Sequence, residues 1–176
     1  NINIVDSGLV PWALGSFPFD DEGVPTSRKA LVAGGVLERL LYNTETGRRD
    51  NTASTGNASR GGFSSLPSVG VTNLFIEPAY PGTIVSGNDL FRTMGSGLFV
   101  TDAMGVHTVN QISGDFSIGV SGLWVEGGEP QHPVKEAVIA GNFLELFGRV
   151  AAFGDHFRWH GNVGGPSLIV EGVDLS

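Results

Sequence analysis

Cysteine is missing from all 176 positions of this chain. Disulfides and thiolate metal ligands are therefore excluded within it. Basic residues are also scarce: 10 Lys and Arg stand against 18 Asp and Glu, giving a formal charge of −8 and a pI of about 4.8. Non-specific binding of DNA or RNA needs a clustered basic surface that releases counterions, so no nucleic-acid partner is expected. No apolar run reaches the roughly 20 residues of a membrane-spanning helix, and no signal-peptide pattern opens the chain, so no membrane partner is expected either. The first residue is Asn1, not Met, and a strand-like pattern starts at once. A piece of a longer protein is expected, forming one domain over 1–176.

What the chain has in excess is glycine, 27 in all, scattered without a three-residue period and separated by strand-like runs. A mainly β (α+β) fold follows: an antiparallel β-sandwich or partly open barrel built from hairpins, with about two helices. The organising stretch is 107–142. Phe116, Ile118, Val120 and Trp124 share one parity, the period-2 signature of a strand with a buried face, while Leu123 and Val125 fill the other parity at its far end. Gly127-Gly128 suits a tight hairpin turn, and the return strand is centred on 134–139. Pro130 and Pro133 place its start at an edge. Asn142 is expected to cap a helix over 143–152.

Elsewhere the pattern predicts a strand over 1–5 and a hairpin of 29–33 with 36–42 around Gly34-Gly35. A helical turn is expected at 43–50, strands at 71–76, 98–101 and 167–173, and a short helix over 84–94. Trp12, Leu14, Phe17 and Phe19 are expected to anchor an irregular loop. Asp20-Asp21-Glu22 reads as a solvated acidic loop, since no spaced set of further oxygen ligands accompanies it. His107 reads as a turn residue and His132 as a Pro-flanked loop residue.

The run N-x-x-S-G-D-F-S-x-G-x-S-G-x-W-V-E-x-G-E, followed by P-V-x-E and I-A-G-N, resembles the C-terminal domain of the TldD/PmbA family. The resemblance recurs at Gly23-Val24-Pro25-Thr26, at Ser54-Thr55-Gly56-Asn57-Ala58-Ser59-Arg60, at Pro67-Ser68 with Thr72-Asn73-Leu74, and at Pro166-Ser167-Leu168-Ile169. Family members form cytoplasmic peptidase assemblies and are also called modulators of DNA gyrase. In the TldD branch the resemblance implies a zinc peptidase with H-E-x-x-x-H in the N-terminal part and a cysteine ligand in the C-terminal domain. Neither element occurs here, and S-G-D-F-S-x-G-x-S-G-x-W is most similar to the PmbA/TldE branch. That branch shares the fold, lacks the metal ligands and pairs with TldD.

The resemblance thus implies a non-catalytic subunit domain of a cytoplasmic metallopeptidase complex, supporting dimer assembly and peptide binding. The expected partners are a TldD-like subunit or a second copy, and a peptide substrate. Zinc is expected only in the catalytic partner, with no cofactor in this chain. Two alternatives stand beside it: a divergent zinc metallopeptidase, or a peptide-binding module without hydrolysis. For the former, His156 and His160 are the candidate ligands, four apart and on one face if helical.

For peptide binding, the flexible polar segment around Asn57 and Arg60 offers close backbone approach and an anion anchor. Ser113, Asp115 and Ser117 could line a groove that takes an extended peptide. Asp115 alternatively closes a turn, with its carboxylate accepting backbone N–H bonds. Spacing alone assembles no Ser/His/Asp group. Trp159, in a glycine-rich setting, is the expected interface aromatic.

Overall fold

A computed structural model describes residues Asn1–Ser176, the side chain of Thr108 apart. In chain order it runs β1 (Ile2–Ser7), β2 (Arg28–Ala33), β3 (Val36–Leu37), α1 (Thr44–Arg49), β4 (Ala58–Ser59), β5 (Ser68–Val69) and β6 (Leu74–Pro78). It continues with β7 (Ile84–Val85), α2 (Leu90–Met94), β8 (Gly97–Met104), β9 (Asp115–Glu126), β10 (Glu129–Asn142), α3 (Phe143–Gly148), β11 (Val150–His160), β12 (Val163–Val170) and β13 (Asp174–Leu175). The fold is mainly β, as expected, with several antiparallel sheets, no closed barrel and three α-helices among the described residues. Contacts divide it into two compact units. One holds Ile2–Ala79 with Phe157–Pro166; the other holds Tyr80–His156 with Ser167–Ser176 and Asn1.

In the first unit β1 lies between β2 and β6, antiparallel to both, with Ile2 and Val5 buried. Gly34 and Gly35, at φ 58° and 87°, turn β2 into β3 as the double glycine predicts. Asn43 caps α1 reciprocally: its Oδ1 accepts from Thr46 N at 2.8 Å, while its own N donates to Thr46 Oγ1 at 3.1 Å. The tip of the β11–β12 hairpin also belongs to this unit, where Val163 pairs in parallel with Leu74. Phe75 meets Phe157 and Trp159 edge to face at 6.0 and 5.7 Å. Trp159 therefore sits in regular structure, contrary to the irregular setting expected. Glycine is needed opposite it because a Cβ on Gly164 would lie 2.7 Å from both rings. The loop aromatics are a second correction: Trp12, Leu14, Phe17 and Phe19 anchor nothing in this chain, being 60–102% exposed.

In the second unit the expected long hairpin forms a four-stranded antiparallel sheet, ordered β13-β10-β9-β8. Gly127 and Gly128 make its turn at φ 60° and 83°. Pro130 and Pro133 lie where β10 has only β9 as a neighbour, since β13 pairs no further than Ile139 and Ala140. The missing N–H groups thus cost no ladder bond. Phe116 and Val120 are buried on one parity and Val125 on the other. The switch accompanies register shifts in both neighbours, between Val100 and Asp102 in β8 and between Val134 and Ala137 in β10. Glu136, inside the second shift, takes φ 61°.

Several expected boundaries move. The helix over 143–152 stops at Gly148, and Val150 opens β11; Val150, Ala152 and Phe153 are all buried there in sheet, not on a helix face. The helix over 84–94 is confined to Leu90–Met94, because Ile84 and Val85 pair in parallel with Phe153 and Gly154. β8 runs on through 102–104, the strand expected over 167–173 is the end of β12 (Val163–Val170) with the short β13 beyond it, and His132 lies within β10. Leu90, Ala152 and Ile169 form a small core with Val85, Met94 and Phe99 packed on it.

Candidate functional sites

The first unit is organised around buried polar groups. Asp6 Oδ2 accepts from Asn57 Nδ2 at 2.8 Å and faces Lys29 Nζ at 3.3 Å; Asp6 Oδ1 accepts from Thr72 N at 2.6 Å. Lys29 Nζ also donates to the Thr55 carbonyl at 3.0 Å. Asn73, fully buried, takes Gly15 N on its Oδ1 and donates to the Ser7 carbonyl and Ser16 Oγ. These bonds tie loops more than fifty residues away along the chain to β1, which spacing could not reveal.

Asn57 is thus a buried strut, its amide bonded to Asp6 Oδ2, the Gly70 carbonyl and Thr55 Oγ1. Arg60 is exposed beside it in sequence; its N donates to Asp21 Oδ2 and its guanidinium to the Ser65 carbonyl, both at 2.7 Å. The acidic run is a loop organiser, which corrects the solvated reading. Asp20 is nearly buried and accepts from Glu22 N, Val24 N and Ala58 N, and Glu22 Oε2 accepts from Thr44 N. Backbone amides of its own loop, of Ala58 and Arg60, and of α1 bind these carboxylates.

In the second unit Ser113 and Asp115 come together. Ser113 Oγ donates to Asp115 Oδ2 at 2.7 Å and Asn142 Nδ2 donates to Asp115 Oδ1 at 2.9 Å. Those two bonds, Asn142 first, hold the Asp115 carboxyl below its ordinary pKa. Asp115 does close a turn, but with side-chain donors in place of the backbone amides expected. Asn110, not singled out from the sequence, supplies the backbone bonding: its Oδ1 accepts from Ile112 N and Ser113 N. Asn142 also caps α3 as expected, accepting from Leu144 N at 3.0 Å. Ser117 is exposed two residues along β9.

His156 and His160 lie on strand β11, not on a helix. His156 Nε2 is 2.8 Å from Ser167 Oγ, and no group of three His, Cys, Asp or Glu that could hold a metal occurs among the described residues. With cysteine absent as well, the residues present do not fit a zinc site.

A cleft of about 610 Å³ in the second unit is lined by Leu90, Met94, Phe99, Trp124, Leu168 and Val170, with Ser167 also on its wall. No helix among the described residues is long and apolar enough to cross a membrane.

Comparison with known proteins places this architecture. The model for the PmbA/TldA metallopeptidase C-terminal domain matches residues 1–176. The chain belongs to this family. Among curated PmbA/TldA relatives, the Metalloprotease PmbA homolog of Haemophilus influenzae is 36% identical over 93% of this chain and 33% of its own length. Metalloprotease PmbA of Escherichia coli O157:H7 is 34% identical over the same shares. The chain therefore spans about a third of the length of the curated relatives it matches. A Thermotoga maritima crystal structure named for modulation of a DNA gyrase is 36% identical, with a TM-score of 0.88 over 99% of this chain and 39% of that one. TldE from Thermococcus kodakarensis shares the fold at a TM-score of 0.88, 24% identity and the same coverage.

Proposed function

We propose that this chain is the C-terminal domain of a PmbA/TldE-like subunit that supplies assembly and peptide contacts to a metallopeptidase complex, while a TldD-like partner supplies the zinc. The carrying observation is the gradient of similarity. Relatives named PmbA are 29–36% identical, whereas those named TldD are 26% and 27% identical. The ligand inventory supports the same reading: no cysteine, and a histidine already engaged with Ser167. A cytoplasmic location goes with this family assignment, and the dimer forms with a TldD-like subunit or a second copy.

Peptide contact falls to exposed groups. In the second unit these are Ser113, Asp115 and Ser117; in the first, Arg60, with Asn57 shaping its loop from beneath. The exposed aromatic loop of the first unit, Trp12 to Phe19, is suited to burial against another subunit. The test is reconstitution. The full-length protein, alone and with a TldD-like subunit, is assayed for bound zinc, molar mass by light scattering and cleavage of an unstructured peptide. Zinc and cleavage only in the mixture, with a co-eluting complex, support the proposal. Stoichiometric zinc and cleavage by the protein alone would overturn it in favour of a metallopeptidase in its own right.

A further inference from the structure

Beyond the subunit role, we propose that Ser167 is an activated nucleophile, with His156 as its base, that accepts acyl groups carrying an apolar chain. All the groups involved lie in the second unit. Side chains alternate along a strand, so Ala152, Gly154 and His156 share one face of β11, and Ser167 and Ile169 share one face of the neighbouring β12. Gly154 leaves the imidazole room to lean toward β12: a Cβ there would stand 3.0 Å from His156 Cε1 and 3.5 Å from Ser167 Cβ. The ring consequently reaches Ser167 Oγ with Nε2 at 2.8 Å, within the range for direct proton transfer.

The other ring nitrogen has its own electrostatic partner. His156 Nδ1 is 3.8 Å from Asp155 Oδ1, and that oxygen is fixed by Gly87 N at 2.9 Å. The separation is too long for a hydrogen bond. A carboxylate charge at this distance still favours the proton on Nδ1, which leaves the Nε2 lone pair to accept the Ser167 hydroxyl proton. Asp155 is thus a positioning residue. His156 and Ser167 are both partly exposed, so an ester can reach them. Ser167 also forms part of the wall of the 610 Å³ cleft, whose apolar lining of Leu90, Phe99, Trp124 and Leu168 suits a hydrocarbon chain. In the step itself, Ser167 Oγ bonds to the carbonyl carbon of an activated ester while its proton passes to His156 Nε2. The bond to the leaving oxygen breaks, and His156 returns the proton to that oxygen, releasing the alcohol or phenol and an acyl-serine.

The experiment uses the full-length protein with p-nitrophenyl acetate and p-nitrophenyl octanoate, following p-nitrophenol release and mapping acylated peptides by mass spectrometry. Expected are an acyl group on Ser167, faster modification by octanoate than by acetate, no modification of that peptide in Ser167→Ala, and roughly 100-fold slower reaction in His156→Gln. Should His156→Gln fail to fold by circular dichroism, Asp155→Asn takes its place, with slower acylation expected. No adduct on Ser167, the same adduct rate in urea-unfolded protein, no slowing in the folded His156 or Asp155 variant, or no preference for octanoate would each overturn the proposal. Acylation needs no metal and is expected unchanged after chelation, whereas peptide cleavage by the reconstituted complex is expected to vanish. The two proposals therefore fail separately.

Discussion

Lys29 and Asp6 face each other across β2 and β1, Nζ 3.3 Å from Oδ2, with side chains 2% and 0% exposed. Their backbone register places them opposite one another, and the remaining valences go to Asn57, Thr72 and Thr55. A buried pair of this kind contributes little over an apolar pair of the same shape. Removing one partner is costly, because the other is left charged and unpaired.

Lys29→Met is therefore expected to destabilise the protein by about 3–5 kcal/mol, and Asp6→Leu by a similar amount. The double variant should lose less than the sum of the two. Urea denaturation of the four proteins gives this cycle directly, and strict additivity would contradict the pairing.

Asp20→Ala removes the acceptor shared by Glu22 N, Val24 N and Ala58 N. A loss of about 2–4 kcal/mol is expected from bonds to a charged, nearly buried acceptor. Amide exchange should quicken at those three positions first; an unchanged exchange pattern would count against the role assigned to Asp20.

Gly122→Ala places a methyl group against the Phe99 carbonyl and the Val100 Cα, both backbone atoms of the paired strand β8. β8 must move for the methyl to fit, and overpacking of this sort costs about 1–3 kcal/mol. Gly148→Ala, where a Cβ meets nothing within 4 Å, is the matched control and should be close to neutral. Thermal denaturation of both variants checks the contrast.

The Asp115 carboxyl, held by Asn142 and Ser113, is expected to titrate below the ordinary 3.8 in a carbon-detected NMR titration. In Asn142→Ala its midpoint should rise toward that value. Because the folded-state pKa is depressed, the stabilisation is present above the unfolded-state value and is lost as pH falls through the folded-state one. The α3 segment should accordingly fray at acid pH below about 4, not near neutrality. An Asp115 midpoint that Asn142→Ala leaves untouched would disprove the link.

Local signals carried much of the architecture. Both double-glycine turns, the alternation through Phe116–Val125, the Asn142 cap and the edge prolines are legible because each depends on residues within a few positions of one another. The family, too, was legible in dispersed motifs. The run 143–152 suggests a single helix because a short apolar run satisfies either period, yet the helix ends at Gly148. Only pairing with β7 and β12 decides that Val150 onward is strand. The acidic run 20–22 looks solvated in the sequence because its amide partners at Ala58 and Thr44 lie 38 and 22 residues from Asp20 and Glu22. The pairing of Asp6 with Lys29 and the meeting of His156 with Ser167 rest on how strands pair, and the arrival of Asn57 and Thr72 at Asp6 rests on how distant loops pack onto β1. Sequence by itself determined the turns, caps, alternation and lack of thiolates, since those are properties of neighbours along the chain. Tertiary structure alone decided which polar groups share a buried site, because that depends on packing between segments far apart in sequence.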